Sequence, residues 1–182
     1  MTHADLATEI YRTAYITGQF KLRSGLTSNE YFDKYRFESQ PRLLKALAQH
    51  LSPLIPSDTQ VLAGLEMGGI PIATALSLET GLPIVFVRKE AKSYGTCQLA
   101  EGSEIRGKKL CVIEDVVTTG GQILLSADDL RSEGAIVHDV LCVIYRGQGK
   151  PVDLEAKGLR LSYLFSMDEL KSSAAPEKSS SQ

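Results

Sequence analysis

Apolar residues open the chain at helical spacing. Leu6, Ala7, Ile10 and Ala14 fall on one face, and Thr2 with Asp5 makes a capping pair, so a helix is expected over about residues 2–17. The pattern then breaks. From Phe20 to Phe37 (FKLRSGLTSNEYFDKYRF) aromatics and cations surround the turn residues Ser24, Gly25, Ser28 and Asn29, which predicts two short extended pieces forming a strand pair or hood outside the main sheet. Pro41 suits the first turn of a helix carrying Leu43, Leu44, Leu47 and Leu51, closed by Pro53 and Pro56.

A regular rhythm follows. Val61–Met67 reads as a short apolar strand, Gly68 and Gly69 as its turn, and residues 70–79 as a helix stopped by Gly81. Residues 83–88 and 109–115 (KLCVIED) are the next strands. A glycine turn, a helix over about residues 121–133, the stop Gly134 and a strand over residues 136–145 come next, and residues 159–165 add a last strand. Runs such as VLCVIY are continuously apolar rather than alternating, as burial on both faces of a parallel sheet demands. The expected fold class is therefore α/β, a parallel sheet flanked by helices with a small N-terminal hood. Its layout is one domain over residues 1–170, with the hood at about 18–38 and the core at about 40–168. The polar stretch at about 90–108, with Gly95, Gly102 and Gly107, is unusually long for a connection and reads as a mobile functional loop. Residues 171–182 (KSSAAPEKSSSQ) are too polar to pack and read as a disordered tail.

Composition narrows the function. With 182 residues the chain is long enough to bury a core without disulfides or structural metal. Its net charge of −2 argues against a surface that is wholly a footprint for nucleic acid or anionic lipid. No apolar run is long enough to span a membrane and the N-terminus lacks the pattern of a signal peptide, so a cytoplasmic protein is expected. Cys97, Cys111 and Cys142 are widely spaced, with two inside apolar runs where cysteine acts as a small hydrophobe. His3, His50 and His138 stand apart from any second ligand at metal spacing.

The sharpest chemical signal is CVIEDVVTTGGQ, residues 111–122. An apolar strand delivers Glu114 and Asp115 to its C-terminal edge, and Thr118, Thr119, Gly120 and Gly121 open the next helix. Glycines and hydroxyls at a helix N-terminus bind phosphate, because backbone N–H groups point outward unsatisfied and the helix dipole adds positive charge. Two carboxylates beside that phosphate suit a ligand that also carries hydroxyl donors, which is what a ribose phosphate offers. No GxxxxGK[ST] occurs, and the only GxG, at Gly147 and Gly149, lacks the dinucleotide pattern. A second signal is RKEAKSYG, where Arg88, Lys89 and Lys92 follow a strand end on the same rim and could close over a polyphosphate. Arg146, ending the VLCVIY strand, can grip an imide or carboxylate edge with its planar fork.

Together these motifs resemble the type I phosphoribosyltransferases, EDVVTTGG matching that family's 5-phosphoribosyl 1-diphosphate motif. The full set, from FKLRSGLTSNEYFD through GGIPIA and RKEAKSYG to Arg146, resembles the orotate phosphoribosyltransferases, over nearly the whole chain except the tail. The resemblance implies that Glu114 and Asp115 hold the ribose hydroxyls. It implies that Val116, Val117, Thr118, Thr119, Gly120, Gly121 and Gln122 make the phosphate segment, with residues 118–122 cradling the 5-phosphate. Met67 and Gly68 would form the pyrophosphate turn, and Arg23 would bind phosphate. Arg88, Lys89, Lys92 and Tyr94 would lie on a catalytic loop acting across a homodimer, with Lys92 and Asp115 as the catalytic pair. Tyr31, Phe32, Thr118 and Arg146 would contact orotate, and Mg²⁺ would ride on the diphosphate and ribose without direct protein ligands. Arg23, Gly68 and Tyr94 depart from the family pattern, where Lys, Lys and His are common.

The implied reaction is displacement at the anomeric carbon of ribose, with an orotate nitrogen attacking as pyrophosphate leaves, in the synthesis of UMP. Catalysis would then be mostly orientation and electrostatics, with Lys92 and Arg88 stabilising the leaving group. Two rivals share the phosphoribosyl site: a transferase for another nucleobase, against which Arg146 favours an acidic pyrimidine, and a regulatory sensor that binds nucleic acid, which the net charge disfavours.

Overall fold

The computed structural model describes residues 1–21, 25–90 and 99–174. The predicted residues Arg23, Lys92, Tyr94 and Cys97 lie outside them. Helix α1 (His3–Ala14) begins as expected, with the Thr2 side chain accepting from Asp5 N–H and the Asp5 carboxylate reaching back to Thr2. It stops three residues short of the expected end. Tyr15 is already extended and opens β1 (Tyr15–Lys21), because Ile16 and Thr17 are β-branched and pair with the hood partner strand β2 (Thr27–Phe32). These two antiparallel strands stand apart from the main sheet, as predicted.

The end of the hood departs from expectation. Residues 34–37 are helical rather than extended: Asp33 caps α2 (Lys34–Glu38) by accepting from Tyr35 N–H. Pro41 starts α3 (Pro41–Leu51), and a 3₁₀ turn over Ser52–Leu54 follows. Then β3 (Val61–Leu65), α4 (Gly69–Thr80), β4 (Ile84–Val87), β5 (Ala100–Gly102) and β6 (Lys109–Val117) alternate. After them come α5 (Gly121–Ser132), β7 (Ile136–Tyr145), α6 (Val152–Ala156), β8 (Arg160–Ser166) and α7 (Met167–Ser173). Gly81, at φ +76°, ends α4 in the left-handed conformation that its position predicts.

The main sheet runs β5-β4-β3-β6-β7-β8, parallel throughout except for β5, an antiparallel edge strand inside the stretch expected to be loop. Alternate strand residues feed two cores. Leu62, Cys111, Ile113, Leu141 and Phe165 pack under α1–α4 and α7, whereas Ala63, Val112, Val140 and Cys142 face α5 and α6. Cys111 and Cys142 are fully buried, and burial pushes both thiols up, so they serve as core hydrophobes. Helix α7 moves the tail boundary: Leu170 is buried and Lys171 is helical, because Ser166 caps the helix by accepting from Glu169 N–H.

Candidate functional site

After β3 the chain leaves towards β4 and β5, and after β6 towards β7 and β8. The crevice outside the C-terminal ends of β3 and β6 is thus the switch point of the sheet, where parallel α/β folds bind ligands. Four sequence-predicted segments converge on this rim: Met67 and Gly68 after β3, Arg88 and Lys89 after β4, Thr118 to Gln122 after β6, and Arg146 after β7.

At the phosphate segment, Gly120 adopts φ +79° as the N-cap of α5, which a side chain would strain and where a Cβ would also stand 2.8 Å from Leu154 Cδ2. Gly121 and Gln122 form the first turn of α5, so their backbone N–H groups have no partner within the helix. Thr118 and Thr119 are exposed beside them. The Gln122 side chain turns to Ser126 Oγ at 3.4 Å, which leaves its backbone as the part facing the crevice.

The carboxylates sit differently from the sequence expectation. Strand β6 continues to Val117, so Glu114 and Asp115 lie inside it rather than at its end, and Asp115 has no exposed surface. Asp115 Oδ1 accepts from Val116 N–H, and Lys34 Nζ pairs with Asp115 Oδ2 at 2.5 Å. Burial alone would lower the Lys34 pKa, but the hydrogen bond and charge of Asp115 outweigh it and hold the ammonium above its ordinary value. Burial, with the neighbouring charge of Asp115, pushes Glu114 up to about 8 and Glu38 up to about 9. Glu38 is 5% exposed, its carboxyl group faces that of Asp115, and among the described residues no donor satisfies its oxygens.

Gly68 and Gly69 carry the close approach of α4 to β6. A Cβ on Gly68 would fall 1.4 Å from Asp115 Oδ2, and one on Gly69 would fall 2.1 Å from the Ile113 carbonyl oxygen. Met67 is 60% exposed next to them. Lys89 N–H donates to Glu66 Oε1 at 2.7 Å, tying the end of β4 to that of β3, and the buried Arg88 Nε has no partner.

Three of the four predicted base contacts, Tyr31, Phe32 and Arg146, meet in one cavity of about 220 Å³, lined also by Tyr11, Tyr15, Ser28, Glu30, Met167 and Lys171; Thr118 lies outside it. The hood is braced there by Tyr15 Oη donating to Glu30 Oε2 at 2.6 Å and by stacking of Phe20 on Tyr31. Arg146 also lines a neighbouring cavity with Thr118 and Thr119, so it stands between the base and phosphate ends of the crevice. Its backbone N–H donates to the Val117 carbonyl at 2.7 Å, holding the two strand ends together.

Sequence reading missed Lys34, Glu38 and Lys171. Lys34 falls in the segment expected to be extended, Glu38 at the end of the expected hood, and Lys171 in the expected tail. The capping residues Asp33 and Ser166 were the signals for the helices that carry them.

The fold and this rim have counterparts. A phosphoribosyl transferase domain model matches residues 36–162. An orotate phosphoribosyltransferase of Nocardioides sp. is 46% identical over 167 residues, 92% of this chain and 93% of that one. Among solved structures, orotate phosphoribosyltransferase of Mycobacterium tuberculosis in complex with Fe(III) dicitrate superposes with a TM-score of 0.82 at 32% identity, covering 92% of this chain and 98% of that one. The same enzyme in complex with 5-phospho-alpha-D-ribosyl 1-diphosphate gives 0.78 at 30% identity, over 93% and 98%. A strand-end arginine under an aromatic hood, beside a glycine-opened helix N-terminus, on a chain this similar over nearly its full length, makes it a member of the phosphoribosyltransferase family and, within it, of the orotate phosphoribosyltransferases.

Proposed function

We infer that this chain transfers the 5-phosphoribosyl group from 5-phospho-α-D-ribose 1-diphosphate to orotate, giving orotidine 5′-phosphate and pyrophosphate in pyrimidine synthesis. The observation that carries this reading is the cavity where Tyr31, Phe32 and Arg146 meet beside Thr118. An acidic, planar base fits between aromatic faces, with its anionic edge on the guanidinium fork.

Each part of the site has a role in this reading. Backbone N–H groups of residues 120–122 and the hydroxyls of Thr118 and Thr119 take the 5′-phosphate, which anchors the sugar. Glu114 and Asp115 take the ribose hydroxyls, and the Asp115 carboxylate sets negative charge beneath a ring that becomes cationic as the bond to pyrophosphate breaks. Arg88 and Lys89, with Lys92 of the following loop, stabilise the departing pyrophosphate. The orotate ring nitrogen attacks the anomeric carbon, the C–O bond to the diphosphate breaks with its electron pair on oxygen, the ring N–H proton leaves to water, and the ring nitrogen ends bonded to C1 of ribose. The donors this chain turns to the phosphates are N–H groups, hydroxyls and cations, a set suited to anions. Mg²⁺ is accordingly assigned to the diphosphate oxygens of the substrate, where it would screen their charge.

Assembly as a homodimer with the loop acting across the interface, and a cytoplasmic setting, belong to the same proposal. Among the described residues no helix is long and apolar enough to cross a membrane.

The test is ultraviolet absorbance of orotate with protein, phosphoribosyl diphosphate and Mg²⁺, beside adenine, hypoxanthine and uracil. Diphosphate-dependent loss of the orotate signal alone is expected. Turnover of another base with orotate unchanged would overturn the assignment.

A further inference from the structure

Asp115 is assigned to the ribose, yet no part of it reaches solvent. What covers it is Lys34, whose Nζ lies 2.5 Å from Asp115 Oδ2 and whose side chain is 33% exposed. The other oxygen is held by Val116 N–H, so Oδ2 is the atom left for a ligand hydroxyl. Lys34 is the cation on that oxygen, so a sugar hydroxyl that binds Oδ2 takes the place of the ammonium.

The displaced cation then needs a new anion. Glu38 and Glu114 stand nearby, but both are pushed to pKa values above neutrality by burial and by Asp115, so neither offers it a charge at pH 7. The space around the ammonium is defined by Gly68. A Cβ there would overlap Asp115 Oδ2, so the missing side chain at position 68 is what lets the carboxylate, with Lys34 on that oxygen, lie against the turn. That space opens on the Met67–Gly68 turn, the assigned seat of the diphosphate. The lysine enters it from the first residue of α2, a helix held at its start by the Asp33 cap and by the buried Phe37.

We propose that Lys34 is a further diphosphate-binding residue held in reserve: Asp115 neutralises it while the site is empty, and the ribose hydroxyls release it onto the pyrophosphate oxygens above Gly68. The proposal rests on the phosphoribosyl diphosphate reading but not on which base is used. One ammonium thus spares Asp115 an unpaired buried charge before binding and neutralises a charged leaving group after it.

The experiment measures binding of Mg²⁺-pyrophosphate alone, and of Mg²⁺-phosphoribosyl diphosphate without base, by titration calorimetry. Wild type is compared with Lys34→Gln, Lys34→Met and Lys34→Arg, each verified as folded by its thermal transition. Pyrophosphate makes no ribose contact, so it leaves Lys34 on Asp115 and serves as the control that does not release the ammonium. Phosphoribosyl diphosphate is expected to weaken about tenfold in the Gln and Met variants, with most of the affinity restored in the Arg variant, a loss on the scale of one charge-assisted contact, whereas pyrophosphate alone changes less than twofold. In turnover assays the KM for phosphoribosyl diphosphate should rise while that for orotate changes less than twofold. Unchanged or tighter binding of phosphoribosyl diphosphate in the neutral variants would overturn the proposal, as would an equal loss for pyrophosphate alone, which needs no release from Asp115, or equal losses for orotate and the diphosphate, which would make α2 a general scaffold. If wild type leaves orotate untouched yet binds phosphoribosyl diphosphate through Lys34, the base assignment falls and this inference stands.

Discussion

Glu38→Gln isolates the buried acid beside Asp115. In the folded protein Glu38 is 5% exposed, without a hydrogen-bond donor, and burial with the charge of Asp115 pushes its pKa up to about 9. In the unfolded chain it returns to 4.5. Because the folded value is the higher one, the native state binds the extra proton. The stability this group contributes is full below pH 4.5 and is lost as pH rises towards 9. Each pH unit in that window costs at most about 1.4 kcal/mol, so wild type should lose about 2–3 kcal/mol from this group between pH 5 and pH 7. Glutamine has the same shape, can donate to Asp115 and needs no proton. The variant should match wild type near pH 4.5 and exceed it at pH 7, by about 5–10 °C in Tm for a chain of this size. Glu114 is raised in the same direction and feels the charge of Glu38, so the difference between the two proteins includes their mutual repulsion as well as the burial of Glu38. Thermal unfolding of both proteins in matched buffers from pH 5 to pH 8, without ligand, reads the effect. Parallel pH profiles, or a variant less stable at pH 7 by the same amount as at pH 5, would refute the argument that Glu38 is buried uncharged.

Gly69→Ala forces a Cβ to within 2.1 Å of the Ile113 carbonyl and should cost about 3 kcal/mol by denaturant unfolding, because backbone cannot yield. Gly121→Ala meets nothing within 4 Å and should change stability by less than about 0.5 kcal/mol. Arg146→Ala should chiefly raise the KM for orotate, whereas Lys92→Ala should chiefly lower kcat; comparable losses of both parameters in both variants would contradict the division of roles. Thr2→Ala removes the α1 cap and should cost about 1 kcal/mol in thermal unfolding, with KM values unchanged.

Periodicity alone was enough for most of the fold. The continuous apolar runs that become β3, β6 and β7, and the glycine that stops α4, have one economical arrangement, a buried parallel sheet with helices on both faces. The motifs of residues 111–122 and Arg146 were legible for a related reason: chemistry at the end of a parallel strand is local in sequence, and parallel strands bring their ends to one rim without further information. The elements that escaped are those whose conformation depends on partners far along the chain. Three residues of β5 count as a strand only because β4 is there to pair with them, and α7 is ordered because Leu170 finds the core. Helix α2 is five residues long, too short for periodicity to register, and its importance is entirely tertiary. No local pattern announces that Lys34 will meet Asp115, 81 positions later, above a glycine from a third segment. Sequence determined which groups this protein brings to its ligand. The packing of α2 and α4 against β6 decided that its central carboxylate waits buried under a lysine, because burial and pairing of charge depend on what surrounds a residue in space, not on its neighbours in the chain.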